Sequence, residues 1–230
     1  MTTTDLTIIL VHGAWGDGSH WRHIIPALHK KGYKVRAVQN PLTSLADDVQ
    51  KTTDLINAQD GDVLLVGHSY GGAVISSAGN HEKVKGLVYI AAFAPDQGES
   101  LGSLLAKRST SGGGSIVPDN KGFLWIKYDE FHREFCPDLS EEEGLTMALS
   151  QKAISGQCFA DTMDNPAWKN KPVWYQVSNQ DNMIHQETQV EMAERMNPKK
   201  TINLDASHAS LASKPQELVQ LIVEAAEALK

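Results

Sequence analysis

Short apolar runs alternate along the chain with longer amphipathic segments. Six runs are rich in apolar and β-branched residues, and each is bounded by polar residues or by glycine. Because their apolar residues are nearly continuous rather than alternating, these runs are typical of strands covered on both faces in a parallel sheet. The predicted strands are residues 6–11, 34–38, 63–66, 86–91, 172–177 and 200–204.

Between the strands, apolar residues recur at the spacing of one helix face. Two sets show it most clearly: Leu45, Val49, Thr52 and Ile56 in one, and Leu218, Leu221, Ile222, Ala225 and Leu229 in the other. Strands and helices in alternation predict an α/β fold, a doubly wound and mainly parallel six-stranded sheet with right-handed crossovers.

One long stretch interrupts this alternation. Residues 94–170 separate two predicted strands by far more chain than an ordinary crossover needs. We therefore predict a core made of residues 1–93 and 171–230, with residues 94–170 inserted as a helical lid, called here the cap segment. Some of its aromatic residues must form its own small core, and the rest are candidates to line a substrate pocket. These aromatic residues are Phe123, Trp125, Tyr128, Phe131, Phe135 and Phe159.

Composition narrows the classes of partner. A chain of 230 residues that is 41% hydrophobic is long enough for one domain with a large core. Its net charge of −7 argues against a nucleic-acid partner and favours a small molecule. Cys136 and Cys158 are too few for a disulfide scaffold and lack a metal-type spacing, so we expect two reduced thiols and no metal. The apolar run at 8–11 is too short for a signal peptide or a membrane span, which predicts a cytoplasmic protein without a membrane partner.

The strand at 63–66 runs into Gly67-His68-Ser69-Tyr70-Gly71. The pattern Gly-x-Ser-x-Gly is typical of a sharp strand-to-helix turn that exposes a serine hydroxyl at the end of a strand. Glycines flank such a turn because backbone segments crowd there. Ser69 is therefore the candidate nucleophile.

A serine hydroxyl needs a base within hydrogen-bond reach, and the base needs an orienting carboxylate. Asp181 lies in the loop after the strand at 172–177, and His208 follows the strand at 200–204. This is the chain order of nucleophile, acid and histidine that accompanies such serine turns, and the carboxyl ends of parallel strands meet at one edge of the sheet. Asp96 and Asp205 are weaker alternatives for the acid.

The other eight of the nine histidines receive structural interpretations. His68 neighbours the nucleophile, but the turn directs its side chain away from Ser69, so we expect it to pack. For the remaining seven we expect solvated or capping roles: His12, His20, His23, His29, His81, His132 and His185.

The first strand ends in His12-Gly13-Ala14-Trp15. Backbone N–H groups that point at a developing oxyanion stabilise a tetrahedral intermediate. The Tyr70 N–H is one predicted donor, since it directly follows the nucleophile, and the Ala14 N–H is the other. The alternative is a glycine turn without a chemical role.

Together these motifs make the chain resemble the α/β-hydrolase superfamily, in the small-lid branch that includes plant methylesterases, hydroxynitrile lyases and bacterial pyrethroid-type carboxylesterases. The resemblance runs nearly end to end. It implies an α/β-hydrolase fold, a triad of Ser69, Asp181 and His208, and an oxyanion hole of the Ala14 and Tyr70 amides. The motifs that carry it are Val11-His12-Gly13-Ala14-Trp15, Trp21, Gly67-His68-Ser69-Tyr70-Gly71-Gly72, Ala91-Ala92-Phe93-Ala94-Pro95, Asp181 with Ile184, and Ser207-His208.

Departures from the lyase branch favour ester hydrolysis. Hydroxynitrile lyases that resemble this chain carry a lysine after the catalytic histidine and a threonine in the oxyanion loop, where this chain has Ala209 and Gly13. Ester hydrolysis needs only the triad, the oxyanion hole and water, so we expect no cofactor. The predicted function is a serine carboxylesterase acting on a small apolar or aromatic ester. The candidate substrate contacts are Trp15, Phe93 and Trp125.

Two alternatives stay open. One is another reaction on the same triad, either a lyase step or C–C bond hydrolysis. The other is a ligand receptor on a hydrolase fold that does not turn over.

Overall fold

The computed structural model of the chain describes residues 6–230. Its strands are β1 (Leu6–Val11), β2 (Lys34–Ala37), β3 (Asp62–His68), β4 (Val84–Ile90), β5 (Ile116–Pro118), β6 (Phe123–Ile126), β7 (Ile154–Ser155), β8 (Val173–Ser178) and β9 (Lys200–Leu204). Its α-helices are α1 (Ile24–Lys30), α2 (Leu45–Asn57), α3 (Gly71–Ala78), α4 (Leu101–Leu105), α5 (Tyr128–Phe135), α6 (Glu141–Leu149), α7 (Gly156–Ala160), α8 (Gln186–Met196), α9 (Ser210–Ser213) and α10 (Pro215–Glu227).

A six-stranded sheet forms the centre of the molecule. Its strand order is β2-β1-β3-β4-β8-β9, and every neighbouring pair is parallel. The predicted doubly wound parallel sheet is confirmed. All six strands predicted from the apolar runs are in it. Because the strands are parallel, the loops after β1, β3, β8 and β9 emerge at the same edge.

Both faces of the sheet are buried along its central strands β1, β3, β4 and β8, which explains their continuous apolar runs. Along β1, Ile9 and Val11 join the apolar cluster under α2, α3, α8 and the cap segment, whereas Ile8 and Leu10 join the cluster under α1, α9 and α10. All four side chains are fully buried. Successive strand residues point to opposite faces of the sheet, so a strand between two helix layers must carry apolar residues at both odd and even positions.

The two predicted helix faces lie on the sheet as expected. In α10, Leu218, Leu221, Ile222 and Ala225 are buried, and Pro215 occupies the first turn, where its missing N–H costs no hydrogen bond. The earlier face belongs to α2, whose first turn is capped by the side chain of Ser44 accepting from the Asp47 N–H.

The cap segment contains helices, as predicted, and also a small sheet that the sequence did not predict. Helices α4 to α7 lie in it, together with the antiparallel sheet β5-β6-β7. Its strands are two to four residues long, which is too short for an alternating pattern to be recognised. Phe131 and Phe135 are fully buried and stack with ring centroids 4.8 Å apart, as part of the cap's own packing.

None of the helices within residues 6–230 has the length and apolar character to cross a membrane.

Candidate active site

Ser69 lies in the tight turn between β3 and α3. Its φ of +54° is in the left-handed region, which a non-glycine residue adopts only where the surrounding structure enforces it. The flanking glycines are required by close contacts. A Cβ on Gly67 would lie 2.7 Å from the Gly71 carbonyl oxygen, and one on Gly71 would lie 2.3 Å from the Val11 carbonyl oxygen. The turn therefore brings β1, β3 and α3 together and holds Ser69 at the edge of the sheet.

Ser69, His208 and Asp181 are hydrogen-bonded in series. The distance from Ser69 Oγ to His208 Nε2 is 2.8 Å, and that from His208 Nδ1 to Asp181 Oδ2 is also 2.8 Å. Since an ionised carboxylate only accepts hydrogen bonds, Nδ1 of a neutral His208 carries the proton and Nε2 is free to accept the Ser69 hydroxyl proton. All three residues are buried, at 3%, 0% and 8% exposure. The arrangement can activate a serine nucleophile.

Asp181 is held by its own loop. Its Oδ1 accepts the N–H groups of Met183 at 2.7 Å and Ile184 at 2.9 Å. Its Oδ2 accepts a hydrogen bond from Gln189 Nε2 at 2.9 Å, in addition to the one from His208. These hydrogen bonds fix the orientation of the carboxylate. Gln189 lies on α8, and nothing in its sequence position indicated this contact.

His68 supports the backbone of His208. It is fully buried, and its Nε2 donates to the His208 carbonyl oxygen at 2.8 Å. Burial, with the neighbouring His208 as a smaller cause, lowers its pKa well below the ordinary value, so the ring is neutral. The expectation that His68 packs instead of reaching Ser69 agrees with this placement, although the hydrogen bond to His208 was not predicted.

His12 shapes the loop after β1. The expectation of a solvated or capping role is wrong for His12 and also for His20, because both are buried. His12 Nδ1 donates to the Gly13 carbonyl oxygen at 2.8 Å, and its Nε2 accepts the Asn40 N–H at 3.0 Å. Asn40 in turn donates to the His12 carbonyl oxygen at 3.0 Å. These bonds fix the backbone that leads to Ala14.

Gly13 lies directly against the nucleophile. A Cβ at this position would be 2.6 Å from Ser69 Cβ and 3.2 Å from Ser69 Oγ. The amides of Ala14 and Tyr70 donate no hydrogen bond to another residue in the range 6–230, and both residues line the pocket beside Ser69. Both amides thus belong to residues beside Ser69 and have no acceptor within that range.

The side chain of Tyr70 is anchored behind the nucleophile turn. Its hydroxyl donates to Asp48 Oδ2 at 2.6 Å, and Asp48 Oδ1 accepts the Leu42 N–H at 2.8 Å. Burial raises the pKa of the Asp48 carboxyl, and the hydrogen bonds from Tyr70 and Leu42 oppose that rise. The residue that follows Ser69 is therefore tied to α2 through a buried carboxyl.

A narrow apolar pocket adjoins Ser69. The space that water can reach there is about 10 Å³, enough for about one molecule. Trp15 and Phe93, predicted as substrate contacts, both line it. Its lining consists of Ala14, Trp15, Ser69, Tyr70, Phe93, Leu105, Ile116, Phe159, Met183 and Ile184, none of them charged.

Trp125 lies outside the pocket beside Ser69, and the two alternative acids, Asp96 and Asp205, have other partners than His208. Trp125 is not among the pocket-lining residues; its ring is 38% exposed and its Nε1 donates to the Asp119 carboxylate on the cap surface. Asp96 pairs with Lys169, and Asp205 accepts a hydrogen bond from Asn179. Asp181 is the acid that contacts His208.

Away from Ser69, the described chain has two cysteines and a larger cleft. No group of three or more His, Cys, Asp or Glu side chains within residues 6–230 is arranged to hold a metal ion. Cys136 and Cys158 are free and buried, and burial raises the pKa of each thiol to about 12. A more open cleft of about 320 Å³ lies between α6 and the loop at 16–22, and Ser69 is not part of its lining.

Several known proteins are similar to the chain. A carbendazim hydrolyzing esterase of Nocardioides sp. (strain SG-4G) is 38% identical over an alignment of 113 positions, with 43% of this chain and 47% of that protein covered. Methylesterase 8 of Arabidopsis thaliana is 27% identical over 239 residues, with 91% of this chain and 85% of that protein covered. The crystal structure of a pyrethroid hydrolase from Sphingobium faniae JZ-2 matches with a TM-score of 0.84 and 24% identity, covering 97% of this chain and 98% of that one.

The solved pyrethroid hydrolase confirms the predicted α/β-hydrolase fold. The sequence model of the alpha/beta hydrolase family matches residues 8–221, which is nearly the whole chain. The resemblance inferred from the sequence motifs is confirmed, and the chain belongs to the alpha/beta hydrolase family.

Proposed function

We propose that the protein is a serine carboxylesterase that hydrolyses a small, uncharged apolar or aromatic ester. The observation that carries the proposal is the hydrogen-bonded series of Ser69, His208 and Asp181, with both distances at 2.8 Å. The names of two relatives, a carbendazim hydrolyzing esterase and a methylesterase, support ester-type hydrolysis.

In the proposed mechanism, Ser69 Oγ attacks the ester carbonyl while His208 Nε2 takes its proton. Asp181 holds the imidazole in the correct tautomer and stabilises the imidazolium that forms. The amides of Ala14 and Tyr70 donate to the oxyanion. The tetrahedral intermediate then collapses, the C–O bond to the alcohol breaks, and His208 returns the proton to the departing alkoxide. A water molecule repeats the cycle on the acyl-enzyme and releases the acid.

The pocket lining supports a neutral substrate. Its side chains are apolar except for the Ser69 and Tyr70 hydroxyls and the Trp15 indole N–H. The Tyr70 hydroxyl is bonded to Asp48, and the indole N–H is bonded to the Leu124 carbonyl oxygen. A charged acyl or alcohol group would lose its hydration there without a compensating partner. An uncharged ester would lose much less hydration free energy on entering the pocket.

Cyanohydrin cleavage lacks support from the residues around His208. Ala209, which follows it, is fully buried and apolar, so it offers no cation to a departing cyanide. Product analysis with cyanohydrins and diketones distinguishes the lyase and C–C hydrolase alternatives from ester hydrolysis.

The central test replaces Ser69 with alanine. Ser69→Ala should abolish hydrolysis of p-nitrophenyl acetate and covalent labelling by a fluorophosphonate probe, because both need the nucleophile. Ser77→Ala, on the adjacent helix α3, is the matched control and should retain both. Hydrolysis that survives in Ser69→Ala would refute the proposal, and a wild-type protein that neither hydrolyses esters nor reacts with the probe would favour the receptor alternative.

A further inference from the structure

The cap segment contacts the loop of His208 through Asp138, which lies between α5 and α6. Asp138 Oδ2 accepts the Ser207 N–H at 2.9 Å, and Asp138 Oδ1 accepts the Ser207 hydroxyl. Ser207 directly precedes His208 and is fully buried. Asp138, an acid 69 residues away in the chain, thus accepts hydrogen bonds from both the backbone N–H and the hydroxyl of Ser207, the residue before His208.

Ser207 also links to the residue after His208. Its Oγ accepts the Ala209 N–H at 3.1 Å, which closes a turn around His208. Because the Ser207 hydroxyl donates its proton to Asp138, an oxygen lone pair remains available to Ala209. Asp138 therefore determines how this turn is hydrogen-bonded.

A second cap contact reaches the imidazole itself. The Phe135 ring, on α5, meets the His208 ring edge-on, with centroids 4.9 Å apart and an interplanar angle of 82°. Phe135 and Asp138 lie within three residues of each other, so one short part of the cap touches both the ring and the backbone turn of His208.

The Asp138 carboxyl is charged. Burial alone would raise its pKa, but the hydrogen bonds from Ser207 outweigh burial and hold the pKa below its ordinary value, so the carboxylate is ionised at neutral pH.

We propose that Asp138 is a positioning residue for the catalytic base, fixing the turn that carries His208 through its two hydrogen bonds to Ser207. This inference rests on the proposed esterase function. Without Asp138, the buried Ser207 N–H and hydroxyl lose their acceptor, and the turn must shift to satisfy them. A small displacement of the imidazole impairs proton transfer more than it impairs substrate binding.

The test compares Asp138→Ala with Asp138→Asn. The alanine removes both acceptors, whereas the asparagine oxygen can accept the Ser207 N–H and its amide can donate to Ser207 Oγ. We expect Asp138→Ala to lower kcat for p-nitrophenyl acetate by about 10- to 100-fold, with KM nearly unchanged and slower fluorophosphonate labelling. Asp138→Asn should restore most of kcat. Asp205→Ala removes an exposed acid from the same loop as His208 and is the matched control, with an expected kcat near that of the wild type.

Wild-type kcat and labelling in Asp138→Ala would overturn the inference, as would a loss confined to KM or to the melting temperature. If Asp138→Ala does not fold, Ser207→Ala must show the same selective loss of kcat, because it removes the hydroxyl that joins Asp138 to the turn. A wild-type protein that the probe does not label would instead refute the esterase proposal, and the role of Asp138 with it.

Discussion

At the scale of single residues, the space around Ser69 is set by backbone contacts. Ser69 has a positive φ, and Gly13 lies so close that a hydrogen is the largest substituent its Cα can carry. The nucleophile and the loop after β1 are thus packed as one unit.

We therefore expect Gly13→Ala to remove most of the activity. Its Cβ would lie 2.6 Å from Ser69 Cβ and 3.0 Å from the His68 carbonyl oxygen, so either the loop or the nucleophile must move. Hydrolysis of p-nitrophenyl acetate should fall by about 100-fold, with a loss of about 1 to 3 kcal/mol in the free energy of unfolding. Gly114→Ala is the control, since its Cβ would meet no atom within 4 Å. Equal activities in the two variants would contradict the packing argument.

At the scale of elements, the cap segment closes the pocket that the sheet edge leaves open. Leu105, Ile116 and Phe159 come from the cap and line the pocket, and the Phe159 ring lies 6.1 Å from that of Trp15. About 10 Å³ of water-accessible space remains beside Ser69, so the size of these cap side chains limits the room for a substrate.

Phe159→Ala should widen the substrate range. Removing the ring leaves space on the cap side of the pocket, so the ratio of kcat/KM for p-nitrophenyl hexanoate to that for the acetate should rise by about tenfold, which corresponds to about 1.4 kcal/mol of differential binding. Trp125→Ala removes another cap aromatic, one that lies outside the pocket, and should leave the ratio unchanged. A shift in Trp125→Ala, or none in Phe159→Ala, would show that the pocket boundary is elsewhere.

At the scale of the whole molecule, buried histidines make stability depend on pH. Burial lowers the pKa of His12 to about 4 and that of His20 to about 3, and it also lowers the pKa of His68. In the unfolded chain these groups titrate near the ordinary histidine pKa of 6.5. Below that pH the unfolded state binds more protons than the folded state, so the stabilisation is complete above it and is lost as the pH falls.

The free energy of unfolding should therefore fall between pH 7 and pH 5, by about 2 kcal/mol for each such histidine. Burial raises the pKa of Asp48, so its protonation acts in the opposite direction, stabilising the folded state as the pH falls. Urea unfolding at pH 7, 6 and 5 measures the trend. In His20→Gln the decrease should be about 2 kcal/mol smaller; a decrease equal to that of the wild type would mean that His20 is already charged in the fold.

The local sequence was enough to predict the six strands of the central sheet and the three side chains that meet at Ser69. Strands between two helix layers must be apolar on both faces, and this made the four central strands β1, β3, β4 and β8 visible. The order of Ser69, Asp181 and His208 after three of those strands predicted that the side chains meet, because parallel strands end at one edge. Trp15 and Phe93, two of the three candidate substrate contacts, line the pocket beside Ser69.

The predictions that were wrong and the hydrogen bonds that were missed depend on contacts between distant segments of the chain. His12 and His20 look like loop histidines and are buried by residues far along the chain. Trp125 looks like a pocket aromatic, yet the fold of the cap turns it outward and puts Phe159 beside Trp15. The bonds from Gln189 to Asp181 and from Asp138 to Ser207 have no local pattern at all.

By itself, the sequence determined the parallel sheet, the nucleophile turn and the order of the three groups that meet there, because hydrophobic periodicity and turn chemistry are local properties of the chain. Only the tertiary structure decided which cap side chains close the pocket and which residues hold His208 in place. Those choices depend on how an inserted segment packs against the sheet edge, and side-chain packing is a property of the whole fold that no single stretch of sequence contains.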